Sequence, residues 1–464
     1  MSTSVATCVY LGFIIWLLHR DIRHTRDVSR GLWIPILWLW MIASRPLGYW
    51  LGGYGGAGGN LDVTEGSFFD RTAQLILIGL GIIILSRRRI IWESIFTGNG
   101  WLWLFSLFCA VSIIWSPFPF VAFKRWIKEI GTIEMILIVL TETNLTLALR
   151  TLFLRCAYLL IPLSVLFIKY YPTIGKYYNE WNGAPIYCGV TINKNTLGVL
   201  AMISALFLIW SIVDIQRRPR WIQTLKAAWP EFVTLLMCAW IFKIADSKTS
   251  LVSLMIGIFV FAFAHIGWVF ANSRRMKWIV AILLVASFLV FSNTGLREIF
   301  AHSLGRSGNL TTRTDIWKDA LDLKTNPIVG AGFSSVWLTD RGAALVRREG
   351  GLAHSHNGYL ETYLNTGIVG LIMLIGILSI AGKNSLAELS RGTSLGHLFP
   401  ALFTSGVIYN YTEVTFNNEN IVGFALWLIA MHGCVTPDSA VLDEVEDVDA
   451  FLLSSEESAL THIE

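Results

Sequence analysis

Residues 195–213 read NTLGVLAMISALFLIWSIV, an apolar run without a charged side chain. A helix needs about 20 such residues to cross the hydrocarbon core of a bilayer. Apolar runs of this kind recur from one end of the chain to the other. Their centres lie near Phe13, Leu37, Ile78, Leu107, Ile136, Leu163, Ile203, Met237, Ile258, Val285, Leu374, Phe403 and Leu426. The sequence therefore predicts an all-α polytopic membrane protein with about 13 transmembrane helices.

The composition excludes a water-soluble fold. Charged residues make up 15% of the 464 residues and hydrophobic residues 54%, whereas soluble domains carry about 25% charged residues. The six cysteines are scattered without C-x-x-C spacing, which argues against disulfides and cysteine metal sites. Many of the 20 tryptophans flank apolar runs, as expected of the aromatic belt at a membrane interface.

Basic linkers between the apolar runs predict the orientation of the chain. They are HRDIRHTRDVSR (19–30), SRRR (86–89), QRRPR (216–220) and SRRMK (273–277). All four fall on the same side when the spans are counted, and that side should be the cytoplasm. The N-terminus is then external, as are the linkers 52–66, 170–187 and 293–366.

The predicted organisation has four parts. Residues 1–292 form the N-terminal part of the transmembrane bundle, with about ten spans. Residues 293–366 form one large external loop with short helices, and residues 367–436 form the C-terminal spans. Residues 437–464 carry nine acidic side chains and no Lys or Arg. Because this last part lacks an apolar period, we predict a disordered cytoplasmic tail.

The large external loop contains a predicted amphipathic helix. TTRTDIWKDALDL (311–323) opens with capping-box spacing from Thr312 to Asp315, so the helix should start near Arg313. Its N-terminal N–H groups and Arg313 would suit a phosphate. A solvated surface helix with an incidental arginine is the alternative. NPIVGAGFSSVW (326–337) then indicates a tight turn.

Two histidines, His354 and His356, follow in the same loop. With one residue between them, both rings would lie on one side of an extended backbone. A zinc site would need a third and usually a fourth ligand, which the external loops do not offer in sequence. A general base is the better chemical hypothesis, because histidine titrates near neutral pH.

Charged and amide side chains cluster at the external ends of several predicted spans. They are Lys124, Arg125, Lys128, Glu129 and Glu134; Lys243, Asp246 and Lys248; Asn193, Lys194 and Asn195; and Glu413, Asn417, Asn418, Glu419 and Asn420. Snorkelling cations and internal ion pairs would explain part of this set. A negatively charged, lipid-linked substrate would explain why cations lie on a side that the positive-inside rule leaves poor in them.

Residues 311–371 resemble one superfamily of membrane enzymes. His356-Asn357, nine residues and then Gly367-x-x-Gly370 are similar to the large-loop signature of the integral-membrane O-antigen ligases and O-antigen or exopolysaccharide polymerases.

Four other stretches support this resemblance. RTDIW (313–317) resembles the family's Arg-x-x-x-Trp helix, and NPIVGAGF (326–333) resembles its Pro-x-x-Gly-x-Gly turn. NKNTLG (193–198) and SKTS (247–250) match more weakly. The family usually has Ser-Arg where this chain has Ser-Lys, and lysine keeps the charge of arginine but loses its bidentate fork.

The resemblance implies a multispan glycosyltransferase of the bacterial inner membrane whose active site faces the periplasm. The donor would be a glycan on undecaprenyl diphosphate within the lipid bilayer, and the acceptor would be a sugar hydroxyl of a second glycan. We expect no cofactor, no metal and no nucleic-acid partner, and the chain has no Walker motif. A flippase and a chain-length regulator are candidate partners.

The resemblance also implies roles for individual residues. His356 would be the catalytic base, with Asn357 orienting it or the sugar. Arg313, also assigned to catalysis, would hold the departing diphosphate together with Lys248 and Arg125, in place of a divalent cation. The remaining substrate-binding candidates are His354, Asn195 and Glu413.

Three functions remain open from the sequence. A polymerase would join repeat units that are both lipid-linked, and we favour it because of the paired histidines and the aromatic-rich external face. A ligase would transfer the finished glycan to lipid A core. A polysaccharide-related transporter is compatible with the composition, but we find no internal repeat, and the polar clusters lie at the external edge beside a long external loop.

Overall fold

A computed structural model describes residues 2–25, 27–51, 67–178, 183–216, 221–266, 273–293, 295–296, 299, 309–349, 353–416 and 420–433. Several predictions lie outside these residues. They concern the acidic tail 437–464, the Gly-rich linker 52–66, the basic linker 217–220, the first part of the large loop, and Asn417, Asn418 and Glu419.

The described chain is almost entirely helical. Its α-helices are α1 (Thr3–His24), α2 (Trp33–Ile42), α3 (Leu47–Trp50), α4 (Phe68–Ser86), α5 (Trp92–Gly98), α6 (Gly100–Ser112), α7 (Pro119–Leu140), α8 (Leu145–Tyr170), α9 (Pro172–Gly175), α10 (Lys194–Gln216), α11 (Trp221–Ala245), α12 (Lys248–Ala264), α13 (Ser273–Ser292), α14 (Asn309–Leu321), α15 (Asp340–Arg348), α16 (Gly358–Ser390), α17 (Leu395–Tyr409) and α18 (Ile421–Met431). Short 3-10 turns occupy Arg30–Leu32, Ile113–Trp115 and Val336–Leu338.

The predicted helical character of the chain is confirmed, and each predicted span centre falls inside one of these helices, but the number of about 13 transmembrane helices is not confirmed. Within the described residues, seven helices are long and apolar enough to cross a membrane, or eight if the bent pair α5 and α6 forms one span. Four further apolar helices are shorter, among them α18 with 11 residues. At 1.5 Å per residue a helix of that length covers about half of a bilayer core.

The helix bundle exposes large apolar side chains on its outer surface. α8 and α10 lie at its centre, where Phe153 stacks on Phe207 with ring centroids 3.8 Å apart. The outer helices α1, α4 and α13 instead expose large apolar side chains, such as Ile15, Ile82 and Ile282. Because such surfaces are unfavourable in water, they are the faces that contact lipid tails.

The predicted external linker 170–187 forms a small hairpin. Strands β1 (Lys176–Tyr178) and β2 (Pro185–Tyr187) pair antiparallel, with Lys176 opposite Tyr187. Arg45, just after α2, donates from its guanidinium to the carbonyl oxygens of Ile174 at 2.6 Å and Thr191 at 2.8 Å. This arginine therefore ties the end of α2 to the segment that leads into α10.

Two boundaries in the large loop differ from the predictions. α14 begins at Asn309, four residues before the predicted start near Arg313, so Arg313 lies in its second turn rather than at its N-terminus. α16 begins at Gly358, nine residues before the predicted span start, because the Asn357 side chain caps it.

Two of the sequence motifs interlock through their backbones. The N–H groups of Ile368 and Val369 donate to the carbonyls of Pro327 and Ile328, at 2.9 and 3.2 Å. This contact requires α16 to break at Gly367, where φ is 66° and ψ is −166°.

The two glycines of the G-x-x-G motif have different neighbours. A Cβ atom on Gly367 would overlap the backbone of Ile328. Gly367 thus packs closely against a neighbouring segment, whereas Gly370 faces Thr366 of its own helix.

Replacing Gly367 by alanine should lower the thermal unfolding midpoint, Tm, of the purified protein in detergent. The backbone conformation at this position is accessible essentially to glycine alone and costs other residues about 1–3 kcal/mol. Gly79→Ala in α4 is the matched control, because a Cβ atom there meets nothing within 4 Å. An unchanged Tm for Gly367→Ala would contradict the interlocked arrangement.

Candidate active site

A polar cavity of about 570 Å³ lies among the ends of α2, α4, α7 and α10, the loop before α16 and the turn after α17. Its charged and amide lining consists of Asp70, Gln74, Arg125, Lys128, Glu129, Asn193, Asn195, His354, His356, Glu361, Glu413 and Asn420. Five predicted site residues are therefore brought together at one cavity, although they are spread over most of the chain.

Glu413 is the centre of the hydrogen-bond network beside this cavity. Its buried Oε1 accepts from Arg313 Nη2 and from Asn195 Nδ2, both at 2.7 Å. Its Oε2 lies 3.3 Å from Nδ1 of His356. The carboxylate thus has two neighbours that hold it in place and a third, His356, that lines the cavity.

His356 has an unusual backbone conformation. Its φ is 53°, in the left-handed region that is unfavourable for residues other than glycine. Its backbone N–H donates to Nδ1 of His354 at 3.3 Å, and the two ring centroids are 4.2 Å apart in an edge-to-face arrangement. The histidines lie together, but through a left-handed turn rather than the extended backbone that we predicted.

The Arg-x-x-x-Trp helix explains how these residues are held. Arg313 and Trp317 are four residues apart in α14 and therefore lie on the same face. Arg313 binds Glu413, and Nε1 of Trp317 donates to the carbonyl oxygen of Ser355 at 2.9 Å. One helix face thus anchors both the carboxylate and the loop residue between the two histidines.

Glu361, in the first turn of α16, also anchors this loop. Its Oε1 accepts from Trp337 Nε1 at 2.6 Å, and its Oε2 accepts from the backbone N–H of Ser355 at 2.9 Å. The sequence reasoning did not single out Glu361. Its signal was its place within the signature segment, between Asn357 and Gly367.

Asn357 has a structural partner for its side-chain oxygen. Oδ1 accepts from the backbone N–H groups of Tyr359 and Leu360, at 3.0 and 3.1 Å. The residue is therefore the N-cap of α16 and is not among the described residues that line the cavity. Its predicted contact with substrate is not part of this arrangement.

The predicted diphosphate-binding cations do not converge. The described residues that line the cavity include Arg125 and Lys128 of α7 but neither Arg313 nor Lys248. Arg313 is paired with Glu413, and Lys248 lies 3.1 Å from Asp246. Arg125 donates to the carbonyl oxygen of Ser334.

The electrostatic environment fixes the charge of two side chains. Burial, together with the nearby His356, lowers the pKa of His354 to about 4, so its ring is neutral at neutral pH. Burial raises the pKa of Glu413, but the hydrogen bond with His356 and the charge of Arg313 outweigh that effect and leave its pKa below the ordinary value. Glu413 is therefore an anion beside His356.

Metal-binding groups are sparse around this network. Among the residues that the structure describes, no three His, Cys, Asp or Glu side chains come together in a way that could hold a metal ion.

The fold and cavity define a helical membrane protein with a partly buried His–Glu pair at a polar site. A family model described as O-antigen ligase matches residues 232–375, which include α14, His354 and His356. The exopolysaccharide production protein ExoQ of Rhizobium meliloti (strain 1021) is 23% identical over 335 residues, covering 69% of this chain and 73% of that protein. Both matches support the resemblance to the O-antigen ligase and polymerase superfamily of surface-polysaccharide synthesis.

Proposed function

We propose that the protein is a membrane glycosyltransferase that polymerises a bacterial surface polysaccharide. It would transfer a glycan from undecaprenyl diphosphate to a sugar hydroxyl of a second lipid-linked glycan. The observation that carries this proposal is the His356–Glu413 pair at the cavity, with Nδ1 and Oε2 3.3 Å apart.

His356 is the general base in this proposal. The anionic Glu413 favours the tautomer that carries its proton on Nδ1, which leaves Nε2 as an acceptor. Nε2 takes the proton of the attacking hydroxyl while that oxygen forms a bond to the anomeric carbon. The bond between that carbon and the phosphate oxygen breaks, and the lipid diphosphate leaves with the electron pair. A single displacement of this kind inverts the anomeric centre.

Arg125 and Lys128 are the cations that we assign to the diphosphate, because both line the cavity. Positive charge held in place before the reaction stabilises the charge that develops on a leaving group. Arg313 acts through Glu413 in this scheme, as a positioning residue. Lys248 keeps its predicted role only if the substrate extends beyond the cavity toward Asp246.

We also propose that the cavity opens to the periplasm and that the protein lies in the bacterial inner membrane. The support is the placement of the four basic linkers on one side of the predicted spans. In this topology the helices at the predicted span centres lie within the bilayer, and residues 293–357 with their short helices lie outside.

A ligase is the second candidate. The description of the matching family model supports it, whereas the name of the ExoQ relative supports exopolysaccharide synthesis. Deleting the gene in its host separates the two. A lost polymerase leaves glycan of a single repeat unit, whereas a lost ligase leaves full-length polymer on undecaprenyl diphosphate. The second result would contradict the polymerase proposal.

Purified protein mixed with undecaprenyl-diphosphate-linked repeat units tests whether the protein is an enzyme. The expected result is longer lipid-linked glycan and free undecaprenyl diphosphate, in equal yield with and without a chelator. A protein that binds these lipids without producing longer glycan or releasing undecaprenyl diphosphate would fit the transporter alternative instead.

Truncation after Thr436 should leave polymerisation intact. The acidic residues 437–464 lie on the cytoplasmic side in the proposed topology, across the membrane from the cavity. Initial rates of the truncated and full-length proteins, compared at equal amounts of folded protein, should agree. A large loss of activity in stably inserted protein would mean that the topology or the site is wrong.

A further inference from the structure

The second histidine of the loop has a contact that the proposed reaction does not use. Nδ1 of His354 accepts a hydrogen bond from the backbone N–H of His356 at 3.3 Å. His356 is the residue whose backbone adopts the left-handed conformation, with φ of 53°. The hydrogen bond with His354 therefore constrains the backbone of His356, the proposed base.

This contact also fixes the tautomer of His354. Because Nδ1 accepts, the neutral ring must carry its proton on Nε2. A ring in this form offers a donor rather than an acceptor at Nε2. Within the described part of the chain, His354 lines the same cavity as His356, and its ring packs edge-to-face against that of His356 at 4.2 Å.

The residues on either side of this bond are anchored separately. Ser355 is held by Glu361 at its N–H and by Trp317 at its carbonyl oxygen. Asn357 is held as the cap of α16. The hydroxyl of Ser355 also donates to the carbonyl oxygen of Asn357 at 2.9 Å, across the left-handed residue. None of these contacts involves the backbone N–H of His356, which donates to Nδ1 of His354.

We propose that His354 is a positioning residue, which holds the backbone of His356 in its left-handed conformation and thereby directs the base toward the acceptor sugar hydroxyl. The inference rests on the proposed function, because it assigns a task to His354 only if His356 is the base. Since burial lowers the pKa of His354 to about 4, its Nδ1 remains an acceptor throughout the neutral range.

Three substitutions separate this role from simple packing. In His354→Asn, Oδ1 can occupy the place of Nδ1 and accept the same N–H. In His354→Gln the amide lies near the place of Nε2, and in His354→Leu no acceptor remains. We expect His354→Asn to keep kcat within about threefold of the original protein. We expect His354→Gln and His354→Leu to lose about tenfold or more in kcat, which corresponds to an increase of about 1.4 kcal/mol in the activation free energy.

The KM for the lipid-linked repeat unit should change little in all three variants, because the N–H of His356 does not contact substrate. If His354→Leu fails to fold, as judged from its Tm in detergent, the comparison of asparagine with glutamine decides the matter. If the rate of the original protein falls as the pH is lowered from 8 to 5, the rate of His354→Asn should fall in the same way, because His354 does not titrate in this range.

Two results would overturn the inference. If His354→Gln keeps kcat and His354→Asn loses it, the important atom of His354 is Nε2, and its role is a contact with substrate rather than a hydrogen bond with His356. Full activity of His354→Leu would leave the histidine without a role. Activity in His356→Asn would instead contradict the proposed base itself, so failure of the inference and failure of the proposed function give different results.

Discussion

Replacing His356 by asparagine is expected to reduce glycan transfer by roughly 10²–10⁴-fold, the contribution typical of a general base. Asparagine tolerates the left-handed conformation of this position but has no basic nitrogen at the place of Nε2. His356→Gly should be inactive too, yet at least as stable as the original protein, because glycine adopts a φ of 53° without strain. The measurements are the initial rate with lipid-linked repeat units and the Tm in detergent.

The control for this prediction is a second histidine paired with a glutamate. Nε2 of His432 lies 2.9 Å from Oε2 of Glu388, at the opposite end of α16 from the cavity. His432→Asn should lower the Tm but leave the activity per folded molecule unchanged. Wild-type product from stable His356→Asn would remove His356 from catalysis.

Replacing Glu413 by glutamine should reduce activity by roughly 10²–10⁴-fold, through the tautomer of His356. Oε1 accepts from Arg313 and Asn195, so the glutamine oxygen should stay there and its NH₂ group should face His356. Nδ1 must then accept, which places the proton on Nε2 and removes the base. The expected signature is a fall in kcat with little change in KM.

The same substitution should also destabilise the protein. It leaves the side chain of Arg313, 12% exposed, without its carboxylate partner, and breaking such buried pairs costs about 3–5 kcal/mol. Because the pKa of Glu413 is lowered on folding, its ionised form stabilises the protein above the ordinary carboxylate pKa. That stabilisation is lost as the pH falls through the lowered value. The Tm difference between the two proteins should therefore shrink in acid.

Glu142→Gln separates stability from catalysis. Glu142 forms a comparable buried ion pair with Arg88 and is not among the described residues that line the cavity. It should lower the Tm as Glu413→Gln does, but the variant should keep its activity per folded molecule. Equal activity losses in the two variants would show that general destabilisation, rather than the tautomer of His356, causes the effect.

Part of the site could be predicted because short motifs carry local information. Arg313 and Trp317 were singled out by the resemblance of RTDIW to the family's Arg-x-x-x-Trp helix, and His354 and His356 by their type and position. The N-cap role of Asn357 could have been predicted, since an asparagine directly before an apolar helix commonly caps it. The pairing of Arg313 with Glu413 could not, because the two residues are 100 positions apart and nothing in the sequence relates them.

The sequence by itself determined the all-α membrane fold and the positions of its helices, because hydropathy acts over the length of one helix and can be read locally. It also identified most of the polar residues at the site. Only the tertiary structure decided which cations reach the cavity, which carboxylate faces His356 and which residue holds its strained backbone. These depend on contacts between distant segments, where differences of a few ångströms determine whether a charge meets substrate or another side chain.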